Sequence, residues 1–213
     1  MYKCPYWGHL HSRLTELSKK FVDQQIEYEI ADPIIFIPDL DQLAAYRLLM
    51  HAELEDFLEK KAGEGIRSLY NAIGIQGDFS EFYSRAFLLF SLTKQSLQLI
   101  DFEDRHSVIF SMQTLVDMAL KEIKNNNGIK SRSFILLSFC AGKSIDQVDQ
   151  ELLASLKSYG KERGEVAHQS VTRTKTLQAP TTEKKNATEL VEKLAKYFDI
   201  SNDVYWVDEK TSV

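Results

Sequence analysis

Cysteine is nearly absent: Cys4 and Cys140 are the only two in 213 residues. Two thiols cannot staple a chain of this length, and the expected setting is a reducing one, the cytoplasm. Glycine and proline are also sparse, at nine and four, which argues against an all-β protein built on many tight turns. No apolar run approaches the roughly 20 residues that a membrane span requires. The most apolar stretch of the first third, Ile34-Ile35-Phe36-Ile37, is closed by Pro38. The opening MYKCPYWGHLHS lacks the basic-then-apolar order of a signal peptide. What the chain does have is 44% hydrophobic and 27% charged residues, enough to bury a core.

The prevailing period is helical. Leu10, Leu14, Leu17 and Phe21 step by 4, 3 and 4, which predicts a first helix reaching about Glu29. Asp32-Pro33 and Pro38-Asp39 bracket an extended connector. A second helix is expected from Asp39, fraying near Gly63 and Gly65 and ended by Gly74 and Gly77. A third apolar segment covers Ser80 to about Ile100. A fourth helix runs from about Arg105 to Lys124 and stops at Asn125-Asn126-Asn127-Gly128. A short apolar helix over Ser133 to Cys140 follows, then one opened by Ser144 as N-cap with Gln147 three residues on. Residues 172–180 read as loop, Pro180 starts a last helix carrying Leu190, Leu194 and Phe198, and Val204–Val207 closes the chain. The expectation is one all-α domain, a bundle of six or seven helices.

Net charge is −5, yet residues 121–185 hold twelve basic and seven acidic side chains. That section suits a polyanion while the rest keeps the chain acidic. Several partial motifs lack a residue their chemistry requires. Ala141-Gly142-Lys143-Ser144 ends like a phosphate-binding loop, but Leu137 stands where the first glycine is needed, and the segment joins two helices. Cys4, His9 and His11 lack a fourth ligand at recognisable spacing, so no metal and no cofactor is expected. His51 and Glu55 lie one turn apart on the second helix, the spacing of a His–carboxylate pair.

The segment KSYGKERGEVAHQS (157–170) places Arg163 five positions before His168. A histidine exchanges protons near neutral pH, and a guanidinium holds phosphate oxygens and stabilises charge developing on phosphorus. Together they suffice for metal-free RNA cleavage, in which the ribose 2′-hydroxyl attacks its own phosphate. On a regular helix, five residues turn the two side chains about 140° apart. Bringing them to one atom takes either a bend at Gly160 and Gly164 or a second subunit across a two-fold axis.

The stretch NNNGIKSRSFILLSFCAGKSIDQVDQELLASLKSYGKERGEVAHQS resembles the C-terminal half of HEPN-superfamily domains, in particular the RiboL-PSP-HEPN type. The likeness lies in the Asn/Gly/Ile/Lys opening, a short apolar helix, an Asp-containing turn and a helix leading into Arg-x4-His. LLMHAELEDFLEKKAG (48–63) is similar to the acidic amphipathic helix early in such domains. The resemblance covers about residues 40–199, with the first helix and the tail as extensions. It implies a homodimeric helical bundle acting as a metal-independent endoribonuclease that leaves 2′,3′-cyclic phosphate ends. The setting it implies is toxin–antitoxin or antiphage defence, with an antitoxin or defence-system partner protein. Arg163 and His168 would be the catalytic pair. Many members carry Asn, Asp or His directly after the arginine, where this chain has Gly164. Lys161 and Glu165 are the nearest polar replacements, and His51 with Glu55 completes the supporting set. Lys130, Arg173 and Lys175 would contact the RNA backbone. Some members of the superfamily are inactive, so the alternative is a non-catalytic module that binds RNA, nucleotide or a protein partner through the same face.

Overall fold

The computed structural model describes residues 4–76, 104–168 and 176–200. The chain is all-α: seven α-helices and no strand occur among the described residues. They are α1 (Pro5–Phe21), α2 (Asp23–Ala31), α3 (Leu40–Gln76), α4 (Arg105–Lys124), α5 (Ser131–Cys140), α6 (Gln150–His168) and α7 (Pro180–Tyr197). A single 3-10 turn, Ile145–Gln147, precedes α6. The apolar segment expected over Ser80–Ile100, the loop residues 172–175 and the Val204–Val207 tail lie outside the described residues. The chain divides into two compact units. One gathers the described residues up to Phe57 with those from Asp149 onward; the other covers Leu58–Val148.

In the first unit, Trp7, Leu10, Leu14 and Leu17 are buried along one stripe of α1. The single helix expected as far as Glu29 is instead two, because the backbone departs from helical geometry at Val22 (φ −126°, ψ −31°). The inward register passes to Ser18, Val22 and Gln25, leaving Phe21 only half-buried. Backbone bonds from Val22 to Ser18 (3.0 Å) and from Ile26 to Val22 (2.9 Å) persist through the break. Helix α7 packs on α1, α2 and α6, burying Ala187, Leu190, Val191 and Leu194. Trp7 and Phe198 each meet Phe57 edge-on, with ring centroids 5.9 and 5.8 Å apart.

Leu43, Arg47, Met50, Leu54 and Phe57 step 4, 3, 4, 3 along α3, and all are buried. An arginine thus occupies a core position. Its guanidinium forms a two-pronged ion pair with buried Glu183, one prong from Nε to Oε2 at 3.1 Å. It also donates to the Thr176 carbonyl (2.9 Å) and lies 3.5 Å from Glu162. Burial raises the Glu183 pKa, an effect opposed by the Arg47 charge and by the Gln178 N–H (2.8 Å).

In the second unit the glycines expected to fray α3 do not break it. Gly65 is there because two segments touch: a Cβ would stand 2.3 Å from the Cys140 carbonyl oxygen and 2.7 Å from Ala141 Cα. Helix α4 does stop before the Asn-rich run, with Gly128 at φ 89°. The cap of α6 differs from expectation. Gln147 accepts from the Ser144 N–H (2.8 Å), but only the 3-10 turn forms there. Asp149 is the actual cap, its Oδ1 taking the N–H groups of Glu151 and Leu152, both at 2.9 Å.

Two sets of substitutions follow, read by thermal or urea unfolding. Gly65→Ala should destabilise by about 1–3 kcal/mol or more. Gly164→Ala, where nothing lies within 4 Å, should stabilise by up to about 1 kcal/mol. Arg47→Met alone should cost about 3–5 kcal/mol, because it strands Glu183. Combining it with Glu183→Leu should recover most of that loss, and additive costs would contradict the coupling.

Candidate functional site

Helix α6 brings its own stripe to the interior of the first unit. Leu152, Leu156, Tyr159 and Val166 are buried, and Arg163 takes the one remaining place in the same 4, 3, 4, 3 series. The helix is continuous through Gly160 and Gly164 to His168, so neither glycine interrupts it. Arg163 is half-buried. Its Nε is shielded from solvent and has no hydrogen-bond partner among the described residues, and none of their carboxylates pairs with its guanidinium.

Opposite Arg163 stands His51, 1% exposed. Its ring lies parallel to that of Tyr159, with centroids 6.4 Å apart and planes within 9°. Nδ1 is 3.8 Å from a Glu55 carboxylate oxygen, too far for a hydrogen bond, and has no other partner among the described residues. Burial, and then the nearby Arg163 charge, lower the His51 pKa to about 4. The imidazole is therefore neutral at pH 7. Burial pushes the Tyr159 phenol well above its ordinary pKa, and its Oη likewise finds no partner among the described residues. The result is a polar seam between two apolar stripes, with Arg47 and His51 on α3 against Tyr159, Glu162 and Arg163 on α6. Three of its groups, His51, Tyr159 and Arg163, retain unused hydrogen-bonding capacity. Such a seam can grip an anion through Arg163 while offering neutral donors or acceptors beside it.

Of the residues singled out in the sequence, Arg163, His51 and Glu55 converge here. His168 ends α6; its side chain lies outside the described residues, as do Arg173 and Lys175. Lys161 is exposed and Glu165 half-buried on α6. Lys130 is exposed at the N-cap of α5, in the second unit. Sequence reasoning missed Arg47, Tyr159 and Glu183. Arg47 carried a legible signal, a cation set on an apolar stripe of 4, 3 spacing; Glu183 gave none beyond its place in the first turn of α7.

Two other places gather polar side chains. Cys4 is buried and forms no disulfide, while His9 turns to Glu53 (3.6 Å). His9, Glu53 and Asp56 bring ligand atoms within 4.8 Å of one another, but Arg13 Nε already holds the Glu53 carboxylate at 2.8 Å. An open groove of about 190 Å³ between α6 and α7 includes Ser155, Ser158, Glu162, Asn186, Glu189 and Lys193. Its lysine pairs with Glu151 (2.6 Å), so it offers a phosphate nothing comparable to Arg163. Comparison with protein-family models, curated proteins and solved structures finds no match.

The neutral imidazole gives a pH signature. An unfolded His51 takes up its proton below about 6.5, the folded one only below about 4. Between these values the unfolded state binds more protons, so the contribution is complete above about 6.5 and is lost as pH falls to 4. The loss should be on the order of 3 kcal/mol. Urea unfolding of the wild type and of His51→Leu from pH 7 to 4 checks this. Parallel profiles for the two proteins would remove His51 as the source.

Proposed function

We propose that this chain is a metal-independent endoribonuclease of the HEPN type, working as a homodimer. Arg163 holds the scissile phosphate, and His168 moves the proton between the ribose 2′-hydroxyl and the departing 5′-oxygen. The observation that carries the reading is the state of Arg163. It sits in the inward stripe of α6, with Nε buried and no described carboxylate paired to its charge. Keeping a half-buried guanidinium unpaired costs stability, and a phosphate would repay it with charge-assisted hydrogen bonds.

The 140° between Arg163 and His168 on one uninterrupted helix supports the two-fold assembly, in which a second copy's α6 completes each site. Gly164, directly after the arginine, leaves space around its Cα. The polar role that many family members give that position falls in this reading to His51 and Tyr159, whose unsatisfied atoms lie in the same seam as Arg163. The excess of basic side chains over residues 121–185 favours a polyanionic substrate. A toxin–antitoxin or antiphage role belongs to the same proposal.

Purified protein incubated with labelled RNA in EDTA should cleave it, leaving 2′,3′-cyclic phosphate ends. Arg163→Ala and His168→Ala should each lower the rate by about 10²–10³. Mixing the two inactive variants should restore part of the activity if each site draws on both copies. Binding of RNA with no cleavage at all would favour the non-catalytic module instead.

A further inference from the structure

Five large apolar side chains stand exposed within ten residues at the end of α2 and in the connector after it. Tyr28 is 58% exposed, Ile30 73%, Ile34 92%, Ile35 72% and Ile37 86%. Isolated exposed hydrophobics are ordinary, but a run of this kind is not. Tyr28 stands about 160° round α2 from Ile30, while Ile30 and the three connector isoleucines offer apolar surface on the order of 400 Å², within the range for the largest patch on a monomer.

The segment is held in place. Asp32 Oδ1 accepts from the N–H groups of Ile34 (3.2 Å) and Ile35 (3.4 Å), and Phe36 N–H bonds back to the Asp32 carbonyl (3.1 Å). Buried Gln25 takes the Asp39 N–H at 2.8 Å. Glu29 accepts from both the Thr181 N–H and its hydroxyl, at 3.1 and 2.8 Å. Pro33 and Pro38 remove further backbone freedom. A surface already ordered in this way gives up little conformational entropy on binding.

Charge narrows the partner. Residues 27–41 contain Glu27, Glu29, Asp32, Asp39 and Asp41 and neither lysine nor arginine. Among the described residues no lysine or arginine pairs with any of the five. An acidic border repels RNA and anionic lipid, and it would face its own like across a two-fold axis. A standard interface buries roughly 800 Å² per side at a little over half apolar, so area alone does not set the partner's size. The exposed isoleucines come from one eight-residue stretch, Ile30–Ile37, which a short segment spans.

We infer that the Ile30–Ile37 stretch docks a short segment of another protein, one with apolar anchors flanked by lysine or arginine. This surface does not depend on the nuclease reading. The test uses the full chain and fluorescent synthetic peptides of about four helical turns. One carries leucines at i, i+3, i+4 and i+7 with lysines around them; a second replaces every lysine by glutamate. The lysine peptide should bind at least about tenfold more tightly than the glutamate peptide. An Ile34→Asp, Ile37→Asp double variant should lose about tenfold or more of that affinity. Its thermal unfolding should stay close to wild type, since both positions are exposed. Phe110→Asp, at an exposed apolar residue in the other unit (71% exposed), should change nothing. Equal binding of the two peptides, or undiminished binding by the double variant, would overturn the assignment. So would sedimentation showing a wild-type dimer that the double variant converts to monomer, which would make this face a contact between copies.

Discussion

The ion pair between Arg47 and Glu183 is the interaction on which the first unit depends most. Each partner occupies a position where packing calls for an apolar group, and neither charge would be tolerated without the other. The pair also does positional work. Arg47 reaches the Thr176 carbonyl and Glu162, while Glu183 takes the Gln178 N–H. One guanidinium thus fixes α3 against α6, against the start of α7 and against the chain entering α7. His51 is one turn along α3 from Arg47, and Arg163 is the residue after Glu162 on α6. The geometry of the seam is therefore inherited from a contact in which both buried charges are already paired.

Periodicity made the helices legible. The apolar faces read in α1 (Leu10, Leu14, Leu17) and α7 (Leu190, Leu194) survive in the structure, as do the Asn-rich stop after Lys124 and the proline start at Pro180. Local punctuation misled where tertiary contact overrode it. Gly63 and Gly65 looked like a fraying point in α3, yet Gly65 marks the place where the Cys140–Ala141 backbone comes too close for any side chain. Ser144 looked like a cap, but Asp149 has the free carboxylate at the right step. Val22 has no sequence signal as a break. The shift follows from which residues the neighbouring helices bury, and one-dimensional spacing does not carry that information.

The site was legible in part for a related reason. Arg163 could be picked out because it stands five positions before His168, and His51–Glu55 because one helical turn separates them. Their convergence could not be read, because it depends on how α3 crosses α6. Tyr159 looked like any buried aromatic until its ring was found parallel to His51. The depressed basicity of His51 is likewise a product of depth and of a cation from a different helix.

The chain returns to its first unit late. Ninety-one residues, Leu58–Val148, intervene between its two parts, and Arg47 and Glu183 are 136 positions apart. During synthesis, at about 5–20 residues per second, Arg47 would wait on the order of ten seconds for its carboxylate to be made. Over that interval the nascent α1–α3 segment has a cation on its core stripe and nothing to neutralise it. Such a segment is an obvious client for chaperones, and changes in translation speed between codons 58 and 183 become a means of altering yield without altering the protein.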